Sequence, residues 1–331
     1  NFGDRFNGPV GAADALRLSL NVPAVDLLAR VGPARFAARL RHAGVVLQFP
    51  RAAAPNLALI LGGTGATLEQ LAGAYAALAR GGLAGSVRLR DDEPRRERRL
   101  LSPGAAWIVR TILEAPGRPG EPAYGIDRGH RARVAWKTGT SYGHRDAWAF
   151  GVTARHTVGV WVGRPDGTPM PGQYGAGTAL PLLFALVDAL PRGAADASQA
   201  PMPASVASAS VCWPLGTAFE PAHPELCARR RAAWTLDARI PPTLVDRAHA
   251  GSHALRSRML VDPRDGRRVE PGCAPPDAQS RLHARWPVLA TPWLDAHERT
   301  AAQLPPLAAA CLRVAPANDG TKLPPATVGP F

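Results

Sequence analysis

Lysine occurs only twice in this chain, at Lys137 and Lys322, although lysine and arginine together number 39. One of the two sits inside Trp136-Lys137-Thr138-Gly139-Thr140-Ser141-Tyr142-Gly143. A composition that uses arginine almost everywhere and keeps a lysine here points to a position that arginine would not serve. Arginine is a broad fork that stays charged, whereas lysine is a compact ammonium whose pKa moves readily on burial. A site that passes a proton between a hydroxyl and an amine needs the second. Beside Lys137, the hydroxyls of Thr138 and Thr140 can meet a carboxylate, and Gly139 permits close backbone approach. A second polar group, Ser19-Leu20-Asn21, offers a hydroxyl and an amide two residues apart; in isolation it reads as a helix cap and turn.

These residues need elements to hold them. Residues 134–136, 147–152 and 157–162 are short β-branched and aromatic runs broken by Ser-Tyr-Gly-His and Ala-Arg-His, the pattern of antiparallel strands joined by hairpins. Lys137 to Thr140 is therefore expected on an edge-accessible strand. Residues 12–18 have helical periodicity, and Pro23 opens a second helical run over 24–31, so Ser19 and Asn21 fall at a junction of two helices. Pro33 starts a helix to about His42. Thr67 reads as the cap of a helix whose stripe is Leu68, Leu71, Ala72, Tyr75 and Leu78, stopped at Gly81-Gly82. Residues 87–101, with six arginines and four carboxylates, read as a solvated hairpin tip. Ser102-Pro103 caps a helix to about Glu114, and Pro/Gly-rich residues 115–132 deliver the chain to the Lys137 strand. Residues 180–190 are apolar on nearly all sides, as expected of a helix buried against the sheet.

Longer runs carry a resemblance. Ala135-Trp-Lys-Thr-Gly-Thr-Ser-Tyr-Gly, Arg145-Asp-Ala-Trp and Gly159-Val-Trp-Val-Gly-Arg-Pro-Asp-Gly-Thr are joined by Ala-Leu-x-x-Ser-Leu-Asn-Val-Pro-Ala-Val and Leu-Glu-Gln-Leu-Ala-Gly-Ala-Tyr. Together they resemble the transpeptidase domain of class A penicillin-binding proteins, in which K-T-G accompanies a serine nucleophile in S-x-x-K. The resemblance implies an α/β (α+β) fold, an antiparallel sheet covered by helices. It also implies acyl transfer on peptidoglycan stem peptides through an acyl-serine, with β-lactams as inhibitors. By it, Ser19 and Lys137 relay a proton to the departing amine and Asn21 orients the substrate amide. Thr138, Gly139 and Thr140 bind the substrate, the Thr hydroxyls meeting its terminal carboxylate and the Thr140 N–H serving as an oxyanion donor. No cofactor and no metal are implied. Other cell-wall synthesis proteins are possible partners, and the expected location is the periplasmic side of the bacterial inner membrane, with the anchor upstream.

No serine in the chain has a lysine three residues later; the residues three places before the two lysines are Val134 and Asp319. The nucleophile is therefore expected upstream of Asn1; the resemblance implies a glycosyltransferase domain there too, and with it that this chain is an inactive fragment of a bifunctional peptidoglycan synthase. A β-lactamase or D,D-carboxypeptidase relative, and a non-catalytic wall-binding or scaffold module, are the alternatives.

The composition narrows the remaining classes. A net charge of +13 comes almost wholly from arginine, but it is scattered rather than gathered into a stripe with stacking aromatics, which argues against nucleic acid. The Gly62-Gly63-Thr64-Gly65 cluster is not followed by Gly-Lys-Ser/Thr and is no phosphate loop. Residues 1–191 are assigned to the C-terminal part of the transpeptidase domain and 192–210, rich in Ala, Ser and Pro, to a linker. Residues 211–312 are read as a loop-rich region with all four cysteines, and 313–331 resemble the opening of a small C-terminal β-domain of the family. The block of Cys212-Trp213-Pro214-Leu215-Gly216 with Cys227 and Ala233-Trp234 resembles one branch of the family. The cysteines lack C-x-x-C spacing, and His223 and His253 form no recognisable ligand pattern. Four cysteines allow three connectivities. The two sequence-nearest pairs, Cys212–Cys227 and Cys273–Cys311, are expected, because short loops close at least entropic cost.

Overall fold

The computed structural model describes residues 7–50, 53–120, 132–191, 193, 199–214, 216–222, 224, 227, 229–240, 256–284, 288–296, 299–300 and 303–312. The expected opening of a β-domain at 313–331, Lys322, His223 and His253 lie outside them. The chain divides into two compact units, one of residues 1–209 with Trp234–Arg239, the other of Ser210–Ala233 with 240–331.

The first unit is organised on a three-stranded antiparallel sheet in the order β3 (Ala135–Thr140), β4 (Asp146–Val152), β5 (Thr157–Gly163). Lys137 pairs with Phe150 and Gly139 with Trp148. Because side chains alternate along a strand, Ala135, Lys137 and Gly139 share one face with Trp148, Phe150 and Val152. Thr138 and Thr140 share the other with Ala147 and Ala149. Both hairpin turns are closed by hydroxyls: Ser141 Oγ accepts from Asp146 N at 2.9 Å, and Thr153 Oγ1 accepts from His156 N at 3.0 Å.

Helices cover both faces. On the Lys137 side, Ala135 and Val152 join Leu78 and Leu113 in a buried cluster. These last two come from the turn after α4 (Leu68–Tyr75) and from α5 (Pro103–Glu114). The expected caps form, with Thr67 Oγ1 accepting from Gln70 N and Ser102 Oγ from Ala105 N. On the other side, Ala147, Ala149 and Val160 pack with Ala179, Leu180 and Leu183. The last two belong to α6 (Leu180–Ala189), which lies against the sheet as expected from sequence. It buries one stripe there, while Leu182 and Leu186, also apolar, are 47% and 44% exposed. Ahead of these, α1 (Ala12–Arg17), α2 (Asn21–Val31) and α3 (Pro33–His42) follow in sequence, and the arginine-rich segment closes a hairpin of β1 (Leu83–Gly85) and β2 (Glu97–Arg99).

The start of β3 is held by polar bonds on three sides. Glu114, buried at the end of α5, accepts from Arg110 Nε at 2.7 Å and from Arg133 Nε at 3.3 Å. Trp136 Nε1 donates to Gly117 O at 2.6 Å. Arg118 grips Asp188 of α6 with two bonds of 2.7 Å and lies 4.7 Å over the Phe184 ring, which itself meets Trp136 edge-on.

Strand β6 (Val206–Trp213) begins within the stretch read as a linker and pairs with β7 (Arg229–Leu236), so their residues are shared between the two units. Within the first unit, Trp234 meets Trp107 edge-to-face at 5.0 Å, and Trp107 Nε1 donates to Ala200 O. In the second, Arg230 and Arg231 lie over the Phe219 and Trp213 rings at 3.7 and 3.9 Å. There too, β8 (Arg256–Val261), β9 (Arg268–Val269) and β10 (Gln279–Ala284) form a sheet in the order β10-β8-β9, and α7 (Ala309–Leu312) carries Cys311. Cys212 and Cys227 have Cα atoms 5.1 Å apart, Cys273 and Cys311 5.2 Å, each within bridging reach. These are the two pairs expected from sequence.

Removing one partner of a buried ion pair leaves the other charge uncompensated. Glu114→Ala should therefore lower unfolding free energy by about 3–5 kcal/mol in urea titrations; a loss too small to measure would show that the pair does not hold α5 to β3.

Candidate active site

Ser19 owes its place to the way α1 ends. Leu20 N bonds Ala15 O at 3.0 Å and Ser19 N bonds Leu16 O at 3.3 Å, the paired closure of a Schellman motif, whose left-handed position usually falls to glycine. Here it falls to Ser19, at φ 53°. The serine thus occupies a backbone conformation in which a side chain is costly, and its exposed hydroxyl is turned to the sheet. The next helix begins at Asn21 rather than after Pro23, which puts the Asn21 amide on the first turn of α2.

Lys137 reaches the same point from β3. Its Nζ donates to Ser19 Oγ and to Thr138 O, the latter at 2.6 Å. Burial pushes the ammonium below its ordinary 10.5, since a charge taken from water is disfavoured. The residue across from it, Phe150, is buried and stacks on Tyr75 with ring centres 4.4 Å apart. Burial likewise pushes the Tyr75 phenol up to about 12, so that hydroxyl keeps its proton. The Lys137–Ser19 bond joins a lysine with a lowered proton affinity to a hydroxyl whose own hydrogen is free to donate elsewhere. A pair of that kind can pass a proton.

The other residues singled out from sequence gather less tightly. Thr138 and Thr140 lie on the opposite face of β3 from Lys137, but β3 is an edge of the described sheet, where both faces open onto the same rim. Thr140 Oγ1 accepts from Gly175 N at 3.1 Å. A side chain added at Gly139 would meet only Trp148 Cβ, at 3.7 Å, so packing among the described residues does not require glycine there. The Asn21 amide makes no hydrogen bond among the described residues. In the same range no cluster of three His, Cys, Asp or Glu side chains is placed to hold a metal ion, and no helix is long and apolar enough to cross a membrane.

Known proteins resemble this chain over most of its length. Penicillin-binding protein 1C of Escherichia coli strain K12 is 47% identical over 311 residues, 94% of this chain and 40% of that protein. Family profiles described as the penicillin-binding protein 1C linker domain and second linker domain match residues 205–235 and 250–302. The chain is thus similar to penicillin-binding protein 1C over 94% of its length and matches both linker-domain profiles described for that protein. It spans about 40% of the length of that E. coli relative. Penicillin-binding protein 1B of Vibrio cholerae is 30% identical over 182 residues, covering 51% of this chain and 23% of that one. Among solved structures, penicillin-binding protein 1A from Haemophilus influenzae aligns with a TM-score of 0.53 at 21% identity, over 74% of this chain and 42% of that chain, and it shares the fold.

Two features of the site escaped sequence reading. The wide helical turn at Gly175–Ala179, which brings Gly175 onto Thr140, has no periodicity of its own; only its run of small residues hints at close approach. The Glu114 bonds to Arg110 and Arg133 join groups that in sequence are three more charges among many.

At the Ser19 position the usual preference of helices for alanine should invert. Ser19→Gly and Ser19→Ala both remove the hydroxyl, yet the glycine variant should be more stable by about 1 kcal/mol, because only alanine pays the left-handed clash. Thermal and urea unfolding of the two variants checks this; an alanine variant as stable as the glycine one would contradict the assigned backbone geometry.

Proposed function

We propose that the first unit supplies the leaving-group side of a D,D-transpeptidase site within a bifunctional peptidoglycan synthase, a protein that polymerises glycan strands and cross-links their stem peptides. The observation that carries this is the hydrogen bond between Lys137 Nζ and Ser19 Oγ. In the proposed reaction a serine attacks the penultimate D-Ala carbonyl, an acyl-serine forms, and the terminal D-Ala departs as an amine. An acceptor amine from a neighbouring stem then takes the acyl group. Ser19 hands its hydroxyl proton to the departing amine and recovers one from Lys137, a kind of assistance typically worth about 10²–10⁴-fold. The lowered proton affinity of Lys137 suits it to that exchange. Asn21 orients the substrate amide, and the stem peptide lies along the open rim of β3. There the Thr140 N–H helps to hold the oxyanion, a donor worth roughly 10²–10³-fold, while the Thr138 and Thr140 hydroxyls meet the terminal carboxylate. The clearance at Gly139 is what that ligand would occupy.

The attacking serine is assigned to the part of the full-length protein outside this stretch, because no S-x-x-K occurs within it. Ser19 does not replace it, since its place is beside the leaving group. Peptidoglycan stem peptides and β-lactams are the proposed ligands, with other cell-wall synthesis proteins as partners and the periplasmic face of the inner membrane as the location. Oxidised Cys212–Cys227 and Cys273–Cys311 pairs suit that compartment.

Loss of the nucleophile of a serine hydrolase costs on the order of 10⁶ in turnover. The 331-residue chain incubated with a fluorescent penicillin should thus show no adduct on a denaturing gel or by intact mass, whereas the full-length protein should be labelled. Labelling of the short chain, or none of the full-length protein, would overturn this assignment.

A further inference from the structure

The Gly175–Ala179 turn lies flat on the sheet at one spot. A Cβ built on Gly175 would sit 2.5 Å from Gly139 O, 2.6 Å from Trp148 O and 3.1 Å from Gly139 N, so the segment rests directly on the Gly139–Trp148 pair of β3 and β4. Gly175 is buried, and its φ is not among the positive ones. Space, not a left-handed backbone, is what demands glycine. From there its N–H donates to Thr140 Oγ1 at 3.1 Å, and the turn runs on into α6, whose Leu180 and Leu183 are buried against the same sheet face.

That bond decides what the Thr140 hydroxyl can do. A threonine hydroxyl has one hydrogen and two lone pairs. With a backbone N–H aimed at its oxygen, the hydroxyl hydrogen must point elsewhere, and among the described residues it has no acceptor. A donor left without a partner at the open rim of an edge strand suits an anion, and an N–H arriving from behind polarises the O–H and strengthens it as a donor.

We infer that Gly175 is a positioning residue for the Thr140 hydroxyl, holding it as a hydrogen-bond donor toward the carboxylate of a ligand bound along β3. The inference rests on the function proposed above and extends it to a residue outside the K-T-G-T run. Alanine at 175 would push the turn off Gly139 and Trp148, break the bond and free the Thr140 rotor, without touching the ligand itself.

Two measurements test this. In the 331-residue chain, amide exchange at Gly175 should quicken in Thr140→Val, because its acceptor is gone; unchanged exchange would mean that the bond does not form. In the full-length protein, acylation by benzylpenicillin is compared with acylation by its methyl ester, which lacks the anion. Gly175→Ala and Thr140→Val should each shrink the preference for the free acid by about 10–100-fold, the range for hydrogen bonds to charged groups. Thr140→Ser should keep that preference. The Gly175→Ala/Thr140→Val double variant should be no less selective than Thr140→Val alone, since one residue acts through the other. Equal losses on acid and ester in Gly175→Ala, or additive losses of selectivity in the double variant, would overturn the inference. A wild-type protein that neither ligand acylates would instead overturn the functional reading beneath it.

Discussion

A lysine ammonium is costly to withdraw from water, and this structure withdraws one. Lys137 is half-buried on β3, its proton affinity lowered, and its compensation is two acceptors, Ser19 Oγ and Thr138 O. Neither acceptor is a carboxylate. A salt bridge would have locked the charge in place; a hydroxyl and a carbonyl leave it able to give up its proton. The demands on the surrounding fold follow from that choice. Ser19 has to be delivered to Lys137 across 118 residues of sequence, and β3 has to stay where it is met.

Both demands are met by spending stability locally. The serine sits where glycine would be cheaper, at the left-handed end of α1, and β3 is an edge strand with nothing paired to its outer side among the described residues. An unpaired edge is open to any passing strand, and the proposed stem peptide would use that openness to lie beside Lys137. The restraint is applied from the ends and from behind instead: Glu114 with Arg110 and Arg133, Trp136 on Gly117, Arg118 on Asp188, and the Gly175 turn across Gly139 and Trp148. Support applied away from the outer edge of β3 leaves that edge unpaired among the described residues.

Much of this could be read from the residues themselves. Alternation marked the three strands to within a few positions, Thr67 and Ser102 announced their helices, and Lys137 stood out because lysine is otherwise nearly absent. Local rules apply to such features, and local rules are what a single sequence contains. What the sequence left open has a common cause. Which side of the apolar α6 meets the sheet depends on what packs against it, which its own composition does not state. The role of Gly175 depends on two backbone oxygens 27 and 36 residues away in the chain. The start of α2 was placed at Pro23 because proline favours the first turn, yet the Schellman closure at Ser19 and Leu20 let the helix begin at Asn21.

The central claim is that Lys137 is a lysine with a lowered pKa, held by Ser19. Because the chain has only two lysines, ¹³C labelling at lysine Cε gives two signals, and a pH titration by NMR reads Lys137 directly. The account predicts a midpoint below the ordinary 10.5. It also predicts a further fall in Ser19→Ala, because the hydroxyl that accepts from the ammonium favours the charged form. A Lys137 signal that titrates at 10.5 and ignores the loss of Ser19 would contradict it.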